Sequence, residues 1–271
     1  MAAARTVPQN VGPSALQGPS VLPPILHQSY RTVSPSPPPD AFPTPPLSAA
    51  YSSTLRAYYD TLFAAHGPQR WWPARTRFEV IVGAVLTQNT SWTNVECALQ
   101  NLRSARLLSP VAFRRVRSTK LARLLRPSGY FRQKTKTLKA FVKFLYQAYR
   151  GSLHRLFATP TAILREQLIA LRGIGPETAD SILLYAGKHP VFVVDVYTRR
   201  ILDRHSLSPA KAGYEEIRNL FESSLPTDHR LFNEFHALIV HTGKNFCRPG
   251  NPRCSECSLS RFLPQSTPPV T

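Results

Sequence analysis

Apolar residues in this chain recur at helical spacing. The run Phe78 to Leu86 (FEVIVGAVL) is apolar almost all round, as a buried central helix requires, and Val95, Ala98, Leu99 and Leu102 follow at i, i+3, i+4 and i+7. Further amphipathic runs lie near 110–125, 134–149, 161–170, 176–187, 194–204, 210–222 and 229–243. Alternation of period two is scarce, so the pattern predicts an all-α class. Val191 to Val194 is a short β-like stretch, and the helical run after Asp195 makes it an extended lead into a helix. The texture begins at Tyr51. Residues 1–50 hold 12 of the 26 prolines and no stretch periodic enough for a helix, which predicts a disordered or polyproline II leader. A mitochondrial transit peptide is the alternative for this acid-poor segment, although two Arg and dense Pro make a poor amphipathic helix.

Charge narrows the class. The chain carries 34 Lys+Arg against 15 Asp+Glu, a formal net charge of +19. The leader contributes only Arg5, Arg31 and Asp40, so the charge belongs to the folded body. Between Glu96 and Glu166 lie 69 residues with no acid and 16 Lys+Arg. Solvated helix faces normally mix signs, so this stretch predicts a surface for an extended polyanion, most simply nucleic acid. No window approaches a transmembrane span and the N-terminus lacks a secretory pattern, so no membrane partner is expected and the location is expected to be intracellular. That means cytoplasm or nucleoid in a bacterium, nucleus or mitochondrion in a eukaryote. Of four cysteines, Cys247, Cys254 and Cys257 crowd into eleven residues, a spacing that favours metal ligation over bridging.

The most informative segment runs from Leu168 to Leu183 (LIALRGIGPETADSIL). A helix ends in a Gly-x-Gly hairpin, and Pro176 occupies the first turn of the next helix, where a missing N–H costs nothing. Gly173 and Gly175 let the backbone approach a ligand closely, and the N–H groups of a helix start suit an anion. By itself this is also what a tight αα-hairpin looks like.

Together with Val193-Val194-Asp195-Val196-Tyr197 downstream, Leu86-Thr87-Gln88-Asn89-Thr90 upstream and the three clustered cysteines, the segment resembles the endonuclease III superfamily of helix-hairpin-helix DNA glycosylases. The likeness covers roughly residues 70–260 in one order. It implies two helical lobes around a DNA cleft: a helix at 51–75 and residues 189–263 in one, residues 76–188 in the other, and a tail at 264–271. It also implies a monomer acting on double-stranded DNA, with the hairpin on phosphates, Gln88 filling the space of a flipped base, and Tyr130 as a second wedge. Lys134 and Lys136 follow that wedge and suit backbone contacts. Asp195 is then the catalytic carboxylate, stabilising oxocarbenium character on the sugar or orienting water, a role compatible with capping the helix that follows.

Two departures qualify the likeness. Bifunctional members place a Lys where this chain has Glu177, and a carboxylate forms no imine, so a monofunctional enzyme is expected. The segment Trp71-Trp72-Pro73, the TQNT turn and Glu177 together resemble the 3-methyladenine DNA glycosylase III branch, implying a base pocket of Trp71, Trp72 and Trp92 for an alkylated purine. Ordinary core packing is the competing role for these rings. The alternatives are excision of oxidised pyrimidines and a catalytically idle DNA-binding module. In the cluster loop, the fourth cysteine of a [4Fe–4S] pattern is replaced by Leu263. A cluster with another fourth ligand, recruitment of Cys97, a zinc site using His241 and a vestigial loop all remain open.

Overall fold

The helices begin where short polar side chains can cap them. In this computed structural model, which describes residues 48–264 apart from 70, 73, 209 and 210, the chain forms α1 (Ser48–His66), α2 (Arg77–Leu86), α3 (Trp92–Ser104), α4 (Pro110–Arg115), α5 (Ser118–Leu124) and α6 (Phe131–Tyr149). It continues with α7 (Leu153–Phe157), α8 (Thr161–Ile169), α9 (Pro176–Ser181), α10 (Val196–Arg204), α11 (Tyr214–Ser224) and α12 (His229–Asn245). Thr76, Ser91, Ser109 and Ser152 accept hydrogen bonds from the first-turn amides of α2, α3, α4 and α7. Among the described residues there is no strand, as the all-α class requires, and no helix long and apolar enough to cross a membrane. Of the leader expected over residues 1–50, 48–50 belong to α1, while 1–47, like 265–271 of the tail, lie outside the described residues.

Three element boundaries differ from the periodicity. The run 110–125 is two helices, because Val116 and Arg117 adopt extended backbone between α4 and α5. The short α7 was not anticipated: five residues carry too little periodicity to show. The run 176–187 is α-helical only to Ser181 and then widens into a π-helical turn, Ile182–Gly187. Such turns are rare and re-aim side chains, frequently at functional sites.

α2 is buried from Phe78 through Leu86 and packs against α3, α6, α9 and the π turn. Burying each large apolar side chain contributes roughly 1.5–3 kcal/mol, which is why this helix sits at the centre. α10 lies along α12, and α1 crosses α11 and α12. α12 in turn meets the π turn, so the two groups of helices share one edge. The extended segment Val191–Val194 is fully buried along that edge. Phe192 stacks flat on Phe221 at 3.8 Å and meets Phe232 and Phe235 edge-on. Side chains take up two of its amides: Phe192 donates to Glu222 at 2.8 Å, and the Val194 amide lies 3.4 Å from the Tyr214 hydroxyl. Tyr214 donates to Asp180, which Arg165 grips through both oxygens at 2.7 and 3.0 Å. α8, α9, α11 and the extended segment are thereby tied into one network.

Lys134 departs from the role its sequence position suggested. Its side chain is buried at 2% exposure, and its ammonium donates to the carbonyls of Leu86 at 2.9 Å and Ser128 at 2.6 Å. It caps the C-terminus of α2 from inside the protein, so it does not offer a surface contact; Lys136, one turn face away, is exposed. Burial pushes the Lys134 ammonium down to about 8.

Lys134→Ala is expected to cost about 2–3 kcal/mol, read as a lower urea midpoint, because two buried carbonyls lose their donor and the stem leaves a cavity. Lys136→Ala should leave the midpoint in place. From pH 8 towards 10.5 the unfolded chain holds more protons at Lys134 than the folded one, so the unmutated protein should gain stability relative to Lys134→Met across that window.

Candidate functional site

The hairpin between α8 and α9 is held from behind. Ile174 is buried between the two glycines, and Gly173 has φ +88°, the left-handed region that glycine adopts without strain. A Cβ on Gly173 would lie 2.2 Å from Thr137 Oγ1 on α6, whereas the space around Gly175 is open. The side chain of Gln88 donates to the Gly173 carbonyl at 3.0 Å and to Thr178 Oγ1 at 2.9 Å. Gln88 therefore ties the turn after α2 to the hairpin. Asn89, next to Gln88, is exposed at φ 51°, and Tyr130, ahead of α6, is 64% exposed at φ 44°.

Asp195 follows the buried extended segment and caps α10. Its Oδ1 accepts from the Tyr197 amide at 3.0 Å, the Thr198 amide at 2.8 Å and Thr198 Oγ1 at 2.9 Å. Oδ2 takes no part in the cap and faces His236 Nε2 at 3.5 Å. Burial alone would push this carboxyl up; the facing imidazole of His236 and the Thr198 hydrogen bonds outweigh it and hold it below the usual aspartate range. Capping and a reactive carboxylate coexist because they use different oxygens.

Glu177, in the first turn of α9, shares this site. Burial of its carboxyl and the neighbouring Asp195 push it up, against a smaller downward pull from His236 and Arg199. The two carboxyls are thus driven apart in acidity, the usual condition for acid and base to divide their roles. The residues that the sequence did not single out are Tyr185, on the π turn, and His236, on α12. The Tyr185 hydroxyl lies 2.5 Å from His236 Nδ1, and both residues sit in apolar runs that read as plain core.

The tryptophans form one chain of rings beside this cluster. Trp72 stacks on Tyr185 at 4.9 Å and meets Trp71 and Trp92 edge-on at 6.3 and 5.6 Å. Its ring also lies over Gly83, where a Cβ would come within 3.0 Å, so Trp72 is packed in part as core. Trp71 carries the Lys244 ammonium over its ring at 5.6 Å, and its indole nitrogen is buried without a partner. Trp92 touches the outer side of Trp72 and lines a surface depression with Glu96, Cys97 and Gln100.

Residues 82–227 match the model of the HhH-GPD superfamily base excision DNA repair proteins, a span that holds the Gln88 turn, the glycine hairpin, Glu177 and Asp195. The chain belongs to the HhH-GPD superfamily. It is 46% identical over 206 residues to a Methanocaldococcus jannaschii protein named "Putative DNA repair glycosylase MJ1434", covering 75% of this chain and 93% of that one. To endonuclease III of Thermotoga maritima it is 29% identical over 182 residues, covering 67% and 80%. Among solved structures, the Helicobacter pylori 3-methyladenine DNA glycosylase bound to 1,N6-ethenoadenine superposes with TM-score 0.60 at 29% identity, over 72% of this chain and 97% of that one. A non-covalent endonuclease III–DNA complex shares the fold with TM-score 0.67 at 20% identity, over 78% and 94%.

The donors in the cluster loop of this HhH-GPD chain do not fit a four-thiolate cluster. Cys247, Cys254 and Cys257 line one small pocket with Ile201, Phe246, Leu259 and Leu263. Leu263 thus brings an apolar side chain to the pocket where a fourth thiolate would be needed. Arg204 reaches Cys247 Sγ at 3.2 Å. His241 does not line this pocket: its ring lies tilted 4.5 Å from that of His66 and it bonds to Asn245, and Cys97 is exposed on α3 beside Trp92. The histidine that does line the pocket, His205, is engaged by the Tyr58 hydroxyl at 2.7 Å. Among the described residues no group of three or more His, Cys, Asp or Glu is arranged to hold a metal ion. The zinc site using His241 and the recruitment of Cys97 therefore have no geometric basis here.

The hairpin gives a two-variant test. Gly173→Ala should both lower the melting temperature and weaken duplex binding about tenfold or more, because the added methyl meets Thr137 and the φ is strained. Gly175→Ala should leave melting unchanged and weaken binding alone, since only close backbone approach to a phosphate is lost.

Proposed function

We propose that this chain is a monofunctional DNA glycosylase of base excision repair that removes alkylated purines from double-stranded DNA as a monomer. The observation that carries this reading is the pair Asp195 and Glu177 beside stacked aromatic rings, with a carboxylate at the hairpin position where lyase members place an amine. The family match and the 46% identical relative support the glycosylase assignment.

The reaction follows from the geometry. The hairpin backbone and the exposed arginines and lysines of the acid-free stretch grip phosphates, giving salt-sensitive affinity independent of sequence. The damaged nucleotide rotates out of the stack, with Tyr130, Asn89 and the Gln88 turn beside the vacated space. A cationic base then lies against the tryptophan and tyrosine rings, where cation–π attraction contributes about 0.5–2 kcal/mol. An alkylated purine leaves as a neutral base, so no strong general acid is needed. Positive charge developing at the sugar is met by Asp195 Oδ2, the oxygen left free by the helix cap. Glu177, the more basic carboxyl, receives the proton of the attacking water.

Single-turnover assays on duplexes carrying 3-methyladenine, other alkylated purines or oxidised pyrimidines, with and without alkaline cleavage, test substrate and lyase action together. Excision of the alkylated purines, with strands broken only after alkali, is expected; preferential release of oxidised pyrimidines would overturn the substrate assignment. Asp195→Asn should cut excision by about a thousandfold while duplex binding changes less than about threefold. Equal excision by both proteins would remove Asp195 from the chemistry. Borohydride should trap no covalent adduct with the unmutated protein and should trap one with Glu177→Lys.

A further inference from the structure

Asp195 spends three hydrogen bonds on Oδ1, all from its own helix, and these leave Oδ2 turned to His236. His236 is 5% exposed on α12, and its Nε2 is buried without a hydrogen-bond partner. At 3.5 Å from Oδ2 it is too far for a good hydrogen bond and too near to be unrelated. A buried N–H left unpaired is costly, so its position needs a reason. The other ring nitrogen supplies one: Nδ1 lies 2.5 Å from the Tyr185 hydroxyl. Burial and the nearby carboxylates push the Tyr185 phenol far up, so it keeps its proton and can donate to Nδ1. The neutral imidazole then carries its proton on Nε2, pointing at Asp195. When the imidazole is protonated, the phenol oxygen accepts from Nδ1–H instead, and Nε2–H still points at Asp195. Either protonation state presents a donor to the same oxygen.

Tyr185 reaches this position because the helix begun by the hairpin widens into the π turn at Ile182–Gly187, and its ring is pinned there by stacking on Trp72. The chain Trp72, Tyr185, His236, Asp195 thus links the aromatic pocket to the carboxylate.

We propose that His236, oriented by Tyr185, is a positioning residue that holds Asp195 ionised and aimed, its Nε2–H closing onto Oδ2 when a flipped nucleotide fills the cleft. The proposal rests on the glycosylase reading of Asp195 and adds two residues to it. Other charged or titratable groups around the pair are Glu177 on α9, Arg199 and Tyr197 on α10, and Lys244 one face further along α12. Among the described residues, His236 alone faces Oδ2 with a nitrogen donor.

Two measurements test this. The first is the pH dependence of single-turnover excision. Activity falls in acid as Glu177, the more basic carboxyl, takes a proton and Asp195 follows; His236 favours the charged form of both, so its removal should move that limb to higher pH. His236→Gln should move it up by about one unit or more. Tyr185→Phe, which keeps the ring and its stack, should move it in the same direction by less and lower the neutral-pH rate about tenfold. Duplex binding should stay within about twofold for both, since neither residue contacts phosphate. A merely structural role would lower melting temperature and rate at every pH with the acid limb in place, and that result overturns the proposal.

The second measurement needs no excision: the imidazole nitrogen resonances of His236 are compared by NMR at neutral pH. Asp195→Asn should shift the Nε2 resonance and Tyr185→Phe the Nδ1 resonance, each through the partner that faces it. Identical spectra in all three proteins overturn the coupling whether or not the base released is the one expected. Failure of the unmutated protein to release any base, with the NMR coupling intact, would instead count against the glycosylase reading alone.

Discussion

A carboxylate kept charged where solvent barely reaches it is the constraint on which this structure depends. The side chain of Asp195 is 12% exposed, and burial of that degree drives a carboxyl towards its neutral form. Three donors from α10 and the facing imidazole reverse the balance. Each must be delivered by a different piece of the fold. The α10 amides are available only because the helix starts directly after Asp195, and the imidazole arrives only because α12 lies along both α10 and the π turn. Packing that might pass for generic helix bundling thus has an electrostatic purpose.

The approach to Asp195 is equally constrained. Val191–Val194 contributes no helix and would bury unsatisfied backbone groups if left alone. Phe192 anchors it by stacking on Phe221, and Glu222 and Tyr214 take up its amides. Tyr214 also bonds to Asp180, held by Arg165, so the hairpin helix and the extended segment are tied together. In the proposed reaction that link would put phosphate grip at the hairpin and chemistry at Asp195 in one register on the duplex, a requirement of any reaction whose geometry must be set before the bond breaks.

Positive charge divides into two kinds. The acid-free stretch supplies mostly exposed side chains such as Arg115, Lys120, Arg132 and Lys136, free to meet phosphates. Lys134, in the middle of the same stretch, is consumed inside the protein as a cap for α2. Counting charges along the chain cannot separate these, because the distinction lies in what packs over the side chain. The same holds for the cysteines: their spacing brings three thiols to one pocket, but the pocket wall includes Leu263, Phe246 and Leu259, and its histidine is already bonded to Tyr58.

What the sequence determined by itself is local: the helical class, from periodicity, and the hairpin, from Gly173, Gly175 and Pro176; Asp195 and the exchange of a lysine for Glu177 were legible through the family likeness. The strict spacing of these features in a 146-residue match leaves the family in no doubt. Tertiary structure alone decided the rest. Tyr185 and His236 are separated by 51 residues and each sits in an apolar run, so nothing short of their meeting distinguishes them from core. The three tryptophans fall within 22 residues of sequence, yet Trp72 packs on Gly83 and Tyr185, Trp71 lies under Lys244, and Trp92 lines a surface depression. Periodicity reports which face a helix buries, and only the partner helix fixes what a buried polar group touches. In this protein those buried polar contacts set the charge on Asp195.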